Sequence, residues 1–409
     1  MLAPQMNVRV LVLKHWRWAA TVPMIVGASL AASAPAVSSG RGGFVQVGSK
    51  LAGKVPGGEF GLTVALSGDA RTALVGDPSG DSDSNGAAVV LVRAGAGWRR
   101  QARLVGTAHA WFGSQVALSS NGDTALISEP TGLGHVWVYT RSGSKWSRQA
   151  KLTGKGEQVD SEFGNAVALS EDGNTAIVGD ELDHHDTGAT WIFTRTGSTW
   201  KQSARFNGRA KEDYYGQAAA ISADGKTALV GSPGAHDFAG TATLYLRSGA
   251  TWKQGPVLTR RHGPPGGGFG SAVALSGDGR TAVIVGLDLA RPSTATVFTR
   301  SGSSWTQTRL PNRTSDTANF GGSLALSGTG KTVLIAADNA GNGRGSIDVY
   351  TRSAAGWSLA TTPLVAHGET GKGRFGESVS LSTDDRTALI GAGDDADKTG
   401  AAWIFAVSP

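Results

Sequence analysis

The stretch FGLTVALSGDARTALVG, Phe60 to Gly76, decides the fold. An aromatic-glycine pair opens it, Val64-Ala65-Leu66-Ser67 alternates as a half-buried strand does, and Gly68-Asp69 supplies a turn before a second apolar run from Thr72 to Gly76. The opening pair returns at Phe112, Phe163, Tyr215, Phe269, Phe320 and Phe375, at intervals of 51 to 55 residues. Each unit goes on to a polar loop, a third run such as Trp191-Ile192-Phe193-Thr194-Arg195, a Gly/Ser turn and a fourth run such as Trp146 to Leu152. Four strand-length runs in a unit of about fifty residues describe a propeller blade. The chain is therefore expected to be all-β: a seven-bladed β-propeller of four-stranded antiparallel blades, with no helical spacing after the first 36 residues.

The ends of the chain bear on the same expectation. The seventh unit has its third strand at Trp403-Ile404-Phe405, but no Trp-led fourth strand follows before Pro409, whereas Phe44 to Leu51 is an orphan strand. Its aromatic-to-leucine spacing equals that of Trp357 to Leu364. Residues 44–51 are thus expected to pair beside 401–406, closing the ring and removing two sheet edges that invite aggregation.

Residues 37–409 form the propeller on this reading, and residues 1–36 a secretory signal. Arg9, Lys14 and Arg17 precede an apolar run from Ala19 to Ala32, with small-residue cleavage sites after Ala34 or Ala36. The run is shorter than the ~20 residues that span a bilayer and contains Pro23 and Gly27, so stable membrane insertion is not expected, retention as an anchor being the alternative. The expected location is secreted, extracellular or periplasmic. There is no cysteine, so the fold stands on burial without disulfides. The formal charge of +6 falls to about +3 once the basic N-terminal residues are set aside, and no Lys/Arg stripe remains to neutralise phosphates. Nucleic acid is not an expected partner.

The seven Phe/Tyr-Gly starts, the blade length and the TRSGS-W-like turns leading to Trp98, Trp146, Trp200, Trp252, Trp305 and Trp357 resemble the FG-GAP repeats of the integrin α-chain propeller and of many secreted bacterial proteins. The second half of that motif, Gly-Ala-Pro, survives only as Gly76-Asp77-Pro78, Ser128-Glu129-Pro130 and Gly231-Ser232-Pro233. The resemblance implies extracellular adhesion or partner binding. The family's calcium site between first and second strands does not carry over, because turns such as Ser170-Glu171-Asp172-Gly173-Asn174 offer too few oxygens for the six to eight ligands calcium takes.

Candidate chemistry lies elsewhere. The Ser-x-Asp turns at Asp69, Asp172, Asp224, Asp278 and Asp384, with Asn121 and Thr329 in two units, suit hairpins, since Asp-Gly and Asn-Gly tolerate positive φ. Arg93, Arg141, Arg195, Arg247, Arg300 and Arg352 end the third strands and are expected to pair with their own blade's turn Asp rather than to form an anion rim. The six tryptophans are expected to cover blade interfaces. Asp81-Ser82-Asp83-Ser84-Asn85-Gly86 begins like a calcium loop, making Asp81, Asp83 and Asn85 the candidate metal ligands and Ca2+ the candidate ion, although Val92 stands where a closing glutamate belongs. Adjacent His184 and His185 do not make a zinc pair.

In a meander the first and third connections share one face, and the second-to-third and blade-to-blade loops share the other. The latter loops are long and varied, which is where binding residues collect on a rigid frame. Asp77, Asp180, Asp183, Asp186, Tyr214, His236, Phe238, Asp338 and Asp394 are the candidate ligand residues there, with Trp111, Tyr214, His236 and Phe238 expected as exposed aromatics. No nucleophile-base-acid constellation or nucleophile elbow occurs. The function expected is a secreted or cell-surface binding or adhesion module, a monomer with a protein or glycan ligand; the alternative is a hydrolase or lyase with residues assembled over the central channel.

Overall fold

In the computed structural model, which describes residues 43–80, 85–106, 111–157, 161–261, 266–286, 293–311 and 320–408, seven antiparallel sheets follow one another along the chain. The expected signal segment, and with it the cleavage site, lies outside the described residues. Blades 1 to 7 span 64–105, 116–152, 166–207, 219–258, 269–309, 320–359 and 378–407. Blade 3 shows the plan: Ala166–Leu169, Thr175–Asp180, Ala189–Thr196 and Thr199–Asn207, each paired with the next.

The ring closes as the sequence predicts. Phe44–Gln46 pairs with Ala401–Val407, Phe44 lying opposite Val407 and Gln46 opposite Phe405. A second short strand, Leu51–Ala52, pairs with the other end of the same strand. Lys50 between them reaches Asp395 at 2.5 Å, a carboxylate buried in the last blade. The equivalent position of blade 3, Arg205, reaches the equivalent buried carboxylate, Asp183, at 2.6 Å. The N-terminal segment thus supplies both the fourth strand and its cation.

The core is a set of wedges between neighbouring blades, because a sheet buried on both faces needs apolar residues at every position. Second strands accordingly are buried throughout in blades 1, 2, 3, 5 and 6. The repeat aromatics fill the wedges: Phe112, Phe163, Phe269 and Phe375 are fully enclosed. Phe112, for example, packs with Leu74, Ala88 and Val90 of blade 1 and Tyr139 of blade 2.

Glycines let the blades approach so closely. At junction 3/4, Gly216 after the aromatic has φ +93°, and a Cβ on Gly179 would strike its carbonyl oxygen. A Cβ on Gly188, just before the third strand, would strike the Tyr215 carbonyl. The same glycine stands before the third strand as Gly86, Gly134, Gly240, Gly345 and Gly400, and four of these bridge in parallel to the next blade's aromatic, at Phe112, Phe163, Phe269 and Phe60.

Four short elements depart from the expected absence of helix. Single turns at Asp183–Asp186, Ala235–Phe238, Ala340–Gly343 and Asp395–Lys398 occupy the second-to-third loops of blades 3, 4, 6 and 7. Their central residues have φ near +50 to +65°, so the turns are left-handed. A left-handed turn costs roughly 1–2 kcal/mol per non-glycine residue. It is held by the neighbouring blade: the carbonyls of Asp186, Phe238, Gly343 and Lys398 accept the amides of Tyr214, Gly268, Arg374 and Glu59, each the residue before the next aromatic-glycine pair. These four loops therefore share one conformation, where the sequence suggested unrelated loops.

Candidate functional site

The two faces of the ring are built differently. On the turn face each Ser-x-Asp closes on itself: Ser170 Oγ donates to Asp172 Oδ1 at 2.5 Å, and the Thr175 amide donates back to Ser170 Oγ at 2.9 Å. Those contacts, with the Asn174 side chain and the Arg195 charge, outweigh burial and hold the Asp172 carboxyl below its ordinary range. The residue between Ser and Asp joins the blades. Ser120 donates to the Glu171 carbonyl, Glu171 to Ala223, Ala223 to Gly277 and Gly277 to Gly328, while Thr383 donates to Gly68 and so carries the chain of bonds from blade 7 to blade 1. Asp69 donates to Ser120 at 3.4 Å, and Thr329 Oγ1 to Asp385 at 2.6 Å, completing the circuit. Thr383 of blade 7 also reaches Glu171 of blade 3 across the axis. A Cβ on Gly68 would strike both Ser120 and Thr383. The channel is constricted at this end.

Two of the third-strand arginines pair within their own blade's turn, though not with the Ser-x-Asp residue itself. Arg141 Nε donates to Asp123 and Arg195 Nε to the Asn174 side chain, each two residues past the turn residue. Both then cross to the preceding blade, Arg195 reaching Thr124 and Gln149. Arg247 and Arg300 fold back on the carbonyls of Gly249 and Gly302 instead. The turn aspartate is already engaged by its own serine hydroxyl and by the residue two further on, as Asp172 is by Ser170 and Asn174. The tryptophans do stand there: Trp200 packs against the wedge of blades 2 and 3, and its Nε1 donates to Gln149 of blade 2 at 2.9 Å. Of the six, only Trp252 is buried outright.

The loop face gathers the carboxylates. Asp180, at the end of a second strand and fully enclosed, accepts the amides of Glu162, Leu182 and Asp183 on Oδ1. It organises its own loop and the approach to its blade. Asp183 is buried under Arg205 and His184. Burial, chiefly, raises the Asp180 carboxyl above its ordinary range, and Glu157 likewise, the latter also feeling Asp180 and Asp183. Glu181 is pushed up to about 8, first by desolvation and then by the charges of Glu162 and Asp180. Tyr214 rises to about 12 through burial and then the charges of Asp186, Glu212 and Glu181. Across the ring, Glu377 is raised to about 7 by burial, against the pull of Arg374.

Of the residues singled out from sequence, Asp180, Asp183, Asp186 and Tyr214 come together around blades 3 and 4. Asp338 and Asp394 come together around Arg374, at 2.5 and 3.6 Å. Asp77 is buried at the end of a second strand in blade 1. Tyr214 is a correction to the expected row of exposed aromatics: it is 6% exposed and packs on Phe238 with ring centroids 6.2 Å apart, because its carbonyl-bound backbone draws it beneath the left-handed turn. His236 is exposed, and Trp111 and Phe238 are partly so. Asp81 and Asp83 lie outside the described residues. Asn85 is described and partly exposed, and Arg103 donates to the Gly80 carbonyl at 2.6 Å beside that loop. Among the described residues no group of three or more His, Asp or Glu is arranged to hold a metal ion. Glu181, Gln217, Arg374 and Glu377 were not singled out from sequence. Their signal is a substitution: Glu181 and Asp338 stand where other units keep the proline of Gly-x-Pro.

Seven blades in a closed ring, with one repetitive face of linked turns and one carboxylate-rich face, define a β-propeller. The FG-GAP repeat family model matches residues 146–193, the outer strand of blade 2 and three strands of blade 3, so the matched unit straddles a blade junction. The chain carries an FG-GAP repeat there, within a seven-bladed β-propeller. No curated protein matches the chain significantly.

Proposed function

We propose that this propeller is a secreted or cell-surface binding module that presents its loop face to a protein or glycan partner. One observation carries the reading, the asymmetry of the faces. The turn face spends its polar groups on a closed circuit of hydrogen bonds, whereas the loop face concentrates carboxyl groups whose ionisation is displaced upward. Groups so displaced gather at functional sites. Among the described residues no helix is long and apolar enough to cross a membrane.

The hydrolase or lyase reading has one observation in its favour, since Glu181 and Glu377 hold their protons near neutral pH as a general acid must. They belong to different junctions, 3/4 and 6/7, three blades apart along the ring.

A protein and glycan array probed with residues 37–409 tests the proposal. Capture is expected to fall on replacing His236 and Phe238 together by Ala, and to survive replacing Ser142 and Lys145 on the turn face. Loss with the second pair alone would overturn the assignment of faces.

A further inference from the structure

The closed circuit of the turn face leaves its outer cations aside. The residue that leads into the second strand is Arg71, Lys226, Arg280, Lys331 or Arg386 in blades 1, 4, 5, 6 and 7, and all five are exposed. In blades 2 and 3 it is Asp123 and Asn174, which take the guanidinium groups of Arg141 and Arg195 from their own blades. Positive charge is therefore quenched over blades 2 and 3 and left standing over the other five. Those five are contiguous, because the turn of blade 7 bonds to that of blade 1. The linear sequence shows no basic stripe, since these cations lie one or two to a blade.

Four third-strand arginines add to this sector. Arg93 and Arg352 are exposed, while Arg247 and Arg300 are partly so and spend only Nε on the carbonyls of Gly249 and Gly302. Nine cations thus stand against five turn carboxylates, Asp69, Asp224, Asp278, Asp384 and Asp385. The carboxylates are engaged by their own turns: Asp278 Oδ1 accepts the Ser276 hydroxyl and the Arg280 amide, and Asp385 accepts Thr329. Among the described residues the one ion pair in the sector is Lys226 with Asp224, at 3.9 Å and with both side chains more than half exposed. The surface around the cations is level and bare. Backbone bonds from Ala223 to Gly277, Gly277 to Gly328 and Thr383 to Gly68 tie equivalent points of neighbouring turns together. The outer hairpin tips are Gly95-Ala96, Gly249-Ala250, Gly302-Ser303 and Ala354-Ala355, so no bulky tip residue stands beside the arginines.

We propose that this five-blade sector of the turn face docks the propeller on a bilayer surface rich in anionic phospholipid, with the loop face turned away from it. The inference goes beyond the loop-face reading and does not depend on it. Cations spread over a level sector suit a plane; a polymer strand would need them in file. A negatively charged leaflet favours each Lys or Arg near its surface by roughly fivefold in affinity. The attraction fades within a Debye length, about 8 Å at physiological salt, so only side chains on a face free of obstruction benefit from it. The small tips supply no apolar anchor, and adsorption is therefore electrostatic and reversed by salt.

The test is co-sedimentation of residues 37–409, which hold all seven blades and the closing strand, with vesicles of equal parts phosphatidylcholine and phosphatidylglycerol. Leaving out the first 36 residues keeps their basic and apolar runs from contributing. Binding is expected to these vesicles at low salt, to be lost at high salt, and not to occur on phosphatidylcholine alone. Arg280→Glu with Lys331→Glu, on neighbouring blades, should weaken it by at least about tenfold. The same reversal at Lys211 and Lys372, exposed on the loop face, changes net charge equally and should leave binding as it is. Should the first pair melt early, Arg280→Gln with Lys331→Gln gives the same comparison. No binding of the unaltered protein to anionic vesicles, or equal losses from the two pairs, overturns the proposal. Binding to heparin or duplex DNA that needs Arg280 and Lys331, with vesicles ignored, would assign the sector to a polymer and overturn the bilayer. Replacing His236 and Phe238 leaves this sector untouched, so vesicle binding and array capture stand or fall separately.

Discussion

Gly188 shows how much a single residue carries in this fold. It has φ +80°, and any Cβ there meets the backbone of Tyr215 in the next blade. Gly188→Ala is expected to cost about 2–4 kcal/mol, from left-handed strain and from overpacking together, read as a lowered midpoint in urea. Trp200 is the milder case, because it is only partly buried, and Trp200→Ala should cost about 2–3 kcal/mol through lost wedge packing and the bond to Gln149. A stable Trp200→Ala protein that loses its ligand would show instead that the indole belongs to a recognition surface. Glu181 gives a pH signature. Its carboxyl is held above the range of the unfolded chain, so its contribution to stability is whole below about pH 4.5 and is lost as pH rises through about 8. Glu181→Gln should therefore raise the melting temperature at pH 9 and change it little at pH 5; equal effects at both would contradict the burial of that carboxyl.

Among the elements, the closing segment tests the architecture most sharply. Lys50 is the only cation that meets the enclosed Asp395 within ion-pair distance among the described residues, in a strand borrowed from the far end of the chain. Lys50→Met should cost about 3 kcal/mol, the usual consequence of stranding one member of a buried pair. Removing residues 37–52 should lower the melting temperature sharply and expose an aggregation-prone edge. An unchanged melt would mean that the ring is held shut by something else. The left-handed turns were not legible in the sequence for a physical reason. Asp-His-His-Asp, Ala-His-Asp-Phe and Ala-Gly-Asn-Gly share no residue pattern, since what fixes them is the hydrogen bond each receives from the next blade. The glycine after each of them was legible, for it recurs before the third strand in blade after blade.

For the molecule as a whole, repeat length and strand alternation were enough to read seven blades and their closure, because each blade buries its faces only against its neighbours and so repeats its chemistry. The candidate site was half legible. Asp180, Asp183 and Asp338 stood out as loop carboxylates, but their partners Arg205 and Arg374 come from other strands, and contact across blades leaves no trace in linear spacing. The turn-face circuit was hidden for a similar reason: Gly68, Ser120, Glu171, Ala223, Gly277, Gly328 and Thr383 share a position, while their backbones do the bonding.

The claim that recognition belongs to one face is tested most directly by amide hydrogen exchange of the protein with and without its captured partner. Protection is expected in the loops of blades 3 and 4, residues 181–188 and 210–217, with the Ser-x-Asp turns at 67–72, 119–124 and 170–175 unchanged. Protection of those turns with the loops unchanged would contradict it.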